Sequence, residues 1–113
     1  MITIDLSGDN VIEIGATYTA SFSCCGLPDL TDFTGTCQIR LNNTSVDVLL
    51  EPTVVVIDKD KFSLNINYAS YPPALVAGTY QYDVLFSKND NSQRFYAIGG
   101  KAVIVKRITI MPW

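Results

Sequence analysis

The residues able to do chemistry are few, and they lie in turn-like surroundings. Asp29 and Asp32 sit in the run LPDLTD, and Asp58 and Asp60 alternate with Lys59 and Lys61. Either carboxylate pair would be the minimum for general acid–base work. Asp in such segments, however, bonds the local backbone and starts turns, so both pairs are expected to be solvated turn carboxylates. The DKDK run also lacks the glycine and the later glutamate of a calcium-binding EF-hand loop. No histidine is present, which removes the Ser-His and Cys-His dyads of nucleophilic catalysis. Cys24, Cys25 and Cys37 have no zinc-site spacing and read as reduced, apolar fillers. On a strand, the adjacent Cys24 and Cys25 point to opposite faces, so only one of them can face Cys37. Phosphate-cradling glycine loops are missing as well. The expectation is a protein that is not an enzyme and holds no cofactor or metal.

Bulk properties point to a binding role. The chain has 113 residues, enough for one domain over residues 1–113. Hydrophobic residues make up 48% and charged residues 17%, which excludes disorder. A mean hydropathy of +0.21 is apolar for a solvated monomer and predicts that a partner covers part of the surface. The net charge is −3 and the few Lys and Arg are scattered, so there is no electrostatic footprint for nucleic acid. No run reaches 18 apolar residues, so no membrane span is expected. The opening MITIDLSGDN has neither a cationic region nor a long apolar stretch, and reads as a strand of a protein folded in a cytoplasm.

Period-two alternation dominates the rest of the chain, and no helical-length 3.6 period occurs. Ile2, Ile4 and Leu6 alternate with polar residues before a turn at residues 7–10, and residues 11–14 form a short second piece. Ala16, Tyr18, Ala20, Phe22 and Cys24 share a face; Cys37, Ile39 and Leu41 share another after a loop at 26–34. Val46, Val48 and Leu50 read as a strand broken by Pro52, followed by the β-branched run 54–57. Phe62, Leu64 and Ile66 alternate clearly, and Tyr71-Pro72-Pro73 marks a connection. Tyr80, Tyr82, Val84 and Phe86 then share a face, residues 89–92 make a hairpin tip, and 93–109 form a return strand bulged at Gly99-Gly100. Such a pattern predicts an all-β fold, an antiparallel β-sandwich of seven to nine strands, over a small barrel.

Gly78, Tyr80 and Tyr82 sharpen that reading. In immunoglobulin-type sandwiches a tyrosine two residues before the second cysteine bonds upstream backbone and closes a corner. The run AGTYQY resembles this pattern, with Tyr80 as the corner residue and Tyr82 where the cysteine would stand. Phe22 or Cys24 would be its opposite number. The disulfide is therefore absent, as suits a reducing compartment.

Candidate partner surfaces are an edge and a tail. Val54, Val55, Val56 and Ile57 form an apolar edge, a hazard unless another chain covers it. Ile108, Ile110, Met111 and Trp113 make residues 108–113 a candidate partner-binding tail. Tyr18, Tyr68, Tyr71, Tyr96 and Trp113, if exposed, would suit a carbohydrate- or host-surface-binding module instead.

The order of features resembles small Ig-like structural proteins of tailed bacteriophage virions, and is similar to the N-terminal Ig-like domain of phage baseplate upper proteins. The pieces that carry it are DLTDFTG at 29–35, CQIR at 37–40, VLLE at 48–51, residues 78–86 and GGKAVIV at 99–105. The baseplate family continues into a helical stalk that this sequence does not carry. The resemblance thus implies a free-standing tail- or baseplate-associated adaptor, or alternatively a capsid decoration protein. It would be assembled in the host cytoplasm, bound to other virion proteins, and homo-oligomeric or part of a symmetric array.

Overall fold

Strict alternation puts one row of apolar side chains on each strand, and two such rows must bury each other. The computed structural model describes residues 1–23, 26–42 and 44–106. Within them lie eight strands: β1 (Ile2–Thr3), β2 (Ile12–Glu13), β3 (Tyr18–Ser23), β4 (Phe33–Arg40), β5 (Thr53–Asp58), β6 (Lys61–Ile66), β7 (Gly78–Lys88) and β8 (Arg94–Val105). One sheet has the order β3-β6-β5; the other runs β1-β8-β7-β4, with β2 also paired to β8. Their inner faces share a single core, in which Phe62 of β6 meets Phe86 of β7 edge-on at 5.2 Å. The fold is an all-β sandwich.

The three-stranded sheet is antiparallel throughout, as expected. The larger sheet is mixed, because β1 and β2 run parallel to β8. Alternation fixes which side chains face inward but says nothing of strand direction, so the sequence could not show this.

Two other expectations are corrected. Val46 and Val48 are not in a strand; Val46 is 84% exposed, and only Leu50 bridges to Ile39. Residues 41–52 carry the chain from the large sheet to the small one, so they cannot follow either ladder for long. The bulge of β8 is not at Gly99-Gly100. Val84 pairs with Ile98 and Leu85 with Tyr96, which leaves Ala97 as the extra residue.

The glycines serve a close approach instead. A Cβ on Gly100 would stand 2.8 Å from the Ile4 carbonyl oxygen and 2.7 Å from Asp5 Oδ1, and its φ of +154° disfavours a side chain. The N-terminal strand therefore lies directly against β8. Ile4 and Leu6 donate their N–H groups to the Gly99 and Lys101 carbonyls at 2.9 and 2.7 Å. In a regular parallel ladder the Lys101 N–H would reach the Ile4 carbonyl. Here it donates to Asp5 Oδ1 at 2.9 Å, and the Ile4 carbonyl accepts from the Tyr82 hydroxyl at 2.5 Å.

This geometry sets apart two glycine substitutions. Gly100→Ala should cost about 1–3 kcal/mol through overpacking against backbone. At Gly78 a Cβ would meet only the Tyr80 ring, at 3.5 Å or beyond, so Gly78→Ala should stay within about 0.5 kcal/mol of the parent. Urea denaturation of both variants checks the contrast. Hydrogen exchange at Leu6 should accelerate in Gly100→Ala alone.

Candidate functional site

Three regions were singled out by sequence, and the fold treats them differently. The corner residues are brought together. The Tyr80 ring folds back over Gly78, and its hydroxyl donates to the Val76 carbonyl at 2.6 Å. Tyr82, two residues on, is buried on the same face and reaches the N-terminal strand rather than β3. Phe22, its candidate opposite number, packs against Phe62 in a tilted ring pair at 5.6 Å. Cys24, the other candidate, lies outside the described residues.

At the β5 edge only alternate residues face outward. Val54 and Val56 pack against the core, so they are not free for a partner. Val55 and Ile57 are 47% and 56% exposed. Ile57 falls at a register shift between Val56 and Asp58, so it bulges from the edge. The tail residues Ile108, Ile110, Met111 and Trp113 lie outside the described residues.

The acidic pairs are turn formers. Asp29 Oδ1 accepts from the Thr31 backbone N–H at 3.0 Å and from the Thr31 hydroxyl at 2.7 Å, which holds its carboxyl below the usual range. Asp58 Oδ1 accepts from the Lys59 N–H at 2.7 Å. Cys37 is buried in the core, and desolvation pushes its thiol up to about 12, so it is inert as a nucleophile at neutral pH.

Of the tyrosines considered for sugar binding, Tyr18 and Tyr71 serve the scaffold. Their hydroxyls donate to the Asn10 and Ala16 carbonyls, each at 2.8 Å, and burial raises both to about 12. Tyr68 and Tyr96 are 65% and 53% exposed.

A region not singled out by sequence is the outer face of the large sheet. A trough of about 750 Å³ lies there, between the side chains of β4 and the N-terminal strand. Register places Gln38, Asp83, Gly99 and Thr3 in one row across its floor. Asp83 is exposed at its tip, yet partial desolvation raises its carboxyl, with the Arg40 guanidinium opposing. Gln81, Asp83 and Leu85 point outward from β7 and are ordinary by type; only the register sets Asp83 beside a glycine.

No protein-family model matches the chain, and none of the curated proteins is detectably similar to it in sequence.

Removing single hydroxyls tests the tyrosine ties. Tyr80→Phe and Tyr82→Phe each remove a part-buried hydrogen bond and should cost about 0.5–1.5 kcal/mol by urea denaturation. Asp83 gives a pH signature. A carboxyl raised in the folded state favours folding at acid pH, and that contribution is lost as pH rises through its folded value. Asp83→Asn should therefore melt higher than the parent at pH 7, and the gain should shrink below about pH 4, near the ordinary Asp value. Thermal melts across pH read both.

Proposed function

We propose that the protein is a structural subunit of a tailed-phage particle, an adaptor at the tail or baseplate that acts through protein–protein contacts. The observation that carries this reading is the β5 edge, where Val55 and Ile57 present apolar surface beside a half-paired strand. Natural proteins blunt such edges or cover them. The apolar composition, with hydrophobic residues at 48%, agrees with covered surface.

The strand orders add support at the level of fold. The small sheet, β3-β6-β5, and the β8-β7-β4 part of the large one have the arrangement of the B-E-D and G-F-C strands of an immunoglobulin-type sandwich. On that correspondence β7 is strand F, and Tyr80 stands where a tyrosine corner belongs. This is the fold implied by the resemblance to Ig-like virion proteins, carried by residues 29–35, 37–40, 48–51, 78–86 and 99–105. Capsid decoration rests on the same edge and differs only in the partner.

The protein is expected to self-associate or to join a particle through β5. Val55→Lys combined with Ile57→Lys buries two unpaired charges in that contact and should weaken association about tenfold or more. Light scattering after size exclusion measures the first case, and antibody labelling of intact virions the second. A strictly monomeric parent that also fails to label particles would refute the proposal. Both positions are exposed, so the doubly substituted chain should keep its melting temperature.

A further inference from the structure

The trough on the large sheet has the make-up of a ligand site, and the edge contact proposed above does not use it. Three rows of side chains cross its floor, about 7 Å apart along the strands. The first is Thr36, Leu85 and Tyr96; the second Gln38, Asp83, Gly99 and Thr3; the third Arg40, Gln81 and Lys101. Gly99 leaves the middle row without a side chain on β8, and Met1 closes over it beside Asp83. A Cβ there would come within 3.2 Å of Asp83 Cβ and 2.8 Å of Met1 Sδ, so any other residue would push Met1 aside.

Two features show that the polar groups are aimed. The Arg40 guanidinium donates to Gln38 Oε1 at 2.7 Å and to the Ser45 carbonyl at 2.8 Å. It is held in place with other donors of its five still free. The bulge at Ala97 is the second feature. Ala97 and Ile98 both point into the core, and this extra inward residue turns Tyr96 out onto the trough. Unbroken alternation from Ile98 would have put Tyr96 in the core. Bulges next to functional sites re-aim side chains in this way. The same bulge turns Phe95 inward against Phe86, at 5.7 Å, so it also serves packing.

We propose that this trough binds a neutral oligosaccharide. Among its lining side chains the charges balance, Asp5 and Asp83 against Arg40 and Lys101, so these favour neither an anionic nor a cationic ligand. What remains is a dense set of planar hydrogen-bonding groups, Gln38, Gln81, Arg40 and Asp83, around one exposed aromatic ring. Amide, guanidinium and carboxylate groups fit paired hydroxyls, and the Tyr96 face fits the apolar face of a pyranose ring. The volume of about 750 Å³ lies within the range of small-ligand clefts.

The test is an amide-shift titration of the isotope-labelled protein. One arm uses soluble neutral gluco-, manno- and galacto-oligosaccharides of three to six units. The other uses purified bacterial surface polysaccharide, neutral and anionic. A neutral glycan should shift Gln38, Asp83 and Tyr96 while leaving Ser21 and Ser63 on the opposite sheet unmoved. Tyr96→Ala and Gln38→Ala should each weaken binding about tenfold or more, with the melting temperature of Tyr96→Ala unchanged. Thr19→Ala, on the other sheet, should bind as the parent does. Shifts with soluble glycans place the ligand among free sugars; shifts only with neutral polysaccharide place it on a cell surface, and both support the site. Silence in both arms would overturn the proposal, as would binding to anionic polymer alone or binding that survives Tyr96→Ala. Concentration-dependent broadening of the trough residues without glycan would also overturn it, by assigning the face to self-association. Light scattering on the β5 variants stays independent of the glycan outcomes, and it separates self-association through β5 from self-association through this face.

Discussion

The hydroxyl of Tyr82 on the Ile4 carbonyl, at 2.5 Å, fixes how the large sheet ends. Tyr82 lies opposite Gly100 in the β7–β8 ladder, and Gly100 has no side chain to separate Ile4 from it. Ring, glycine and carbonyl therefore form one unit, and none of the three tolerates change without moving the others. With Ile4 held, Leu6 is carried into the core at full burial and bridges to Ala102. The β8 edge, which would otherwise offer unpaired backbone groups, is covered from Ile98 to Val105. The same strand supplies Thr3 and Asp5 to the wall of the trough. One hydrogen bond thus links the closure of the sheet to the shape of its outer surface.

Tyrosine hydroxyls do this throughout the molecule. Tyr18, Tyr71, Tyr80 and Tyr82 each donate to a backbone carbonyl in a segment that leaves a ladder: Asn10, Ala16, Val76 and Ile4. Where the chain leaves a regular ladder its carbonyls lose their strand partners, and a carbonyl removed from water needs another donor. A tyrosine spans the gap from core to rim with an apolar body and a polar tip. Among the described residues no buried side-chain polar atom lacks a partner.

What the sequence made legible was local. Residues 18–23, 36–40, 62–66 and 80–86 alternate without interruption, and each is in a strand with the expected face inward, although β4 begins at Phe33, inside the expected loop. Tyr80 was legible because its bond spans four residues, from the hydroxyl to Val76. The failures are all non-local. Val46 and Val48 alternate as a strand would, but their segment has to change sheets. Gly99-Gly100 signalled an irregularity whose cause, the Ile4–Asp5 backbone, lies 96 residues away along the chain at the Asp5–Lys101 bond. The parallel pairing of β1 was invisible for the same reason, since period two is identical in both directions. At the edge, Val54 to Ile57 read as one apolar run, whereas pairing with β6 divides it into two partly buried and two exposed residues.

The trough escaped sequence reading because nothing in it is unusual by type. Gln38, Asp83 and Lys101 are ordinary outward residues of half-solvated strands, and each alone predicts a wet surface. Their meaning comes from the register, which sets them in rows, and from two breaks in it: a missing side chain at Gly99 and an added residue at Ala97. The small sheet offers a contrast. Its outer face carries Thr19, Ser21, Ser63 and Asn65, all short polar groups, and its exposed apolar residues stand at the β5 edge. The two sheets thus present different chemistry on opposite sides of one core. A contact running along β5 would leave the outer face of β7 and β8 open, because that face turns away from the small sheet. Edge association and ligand binding would then be thermodynamically separate, coupled only through the rigidity of the shared core.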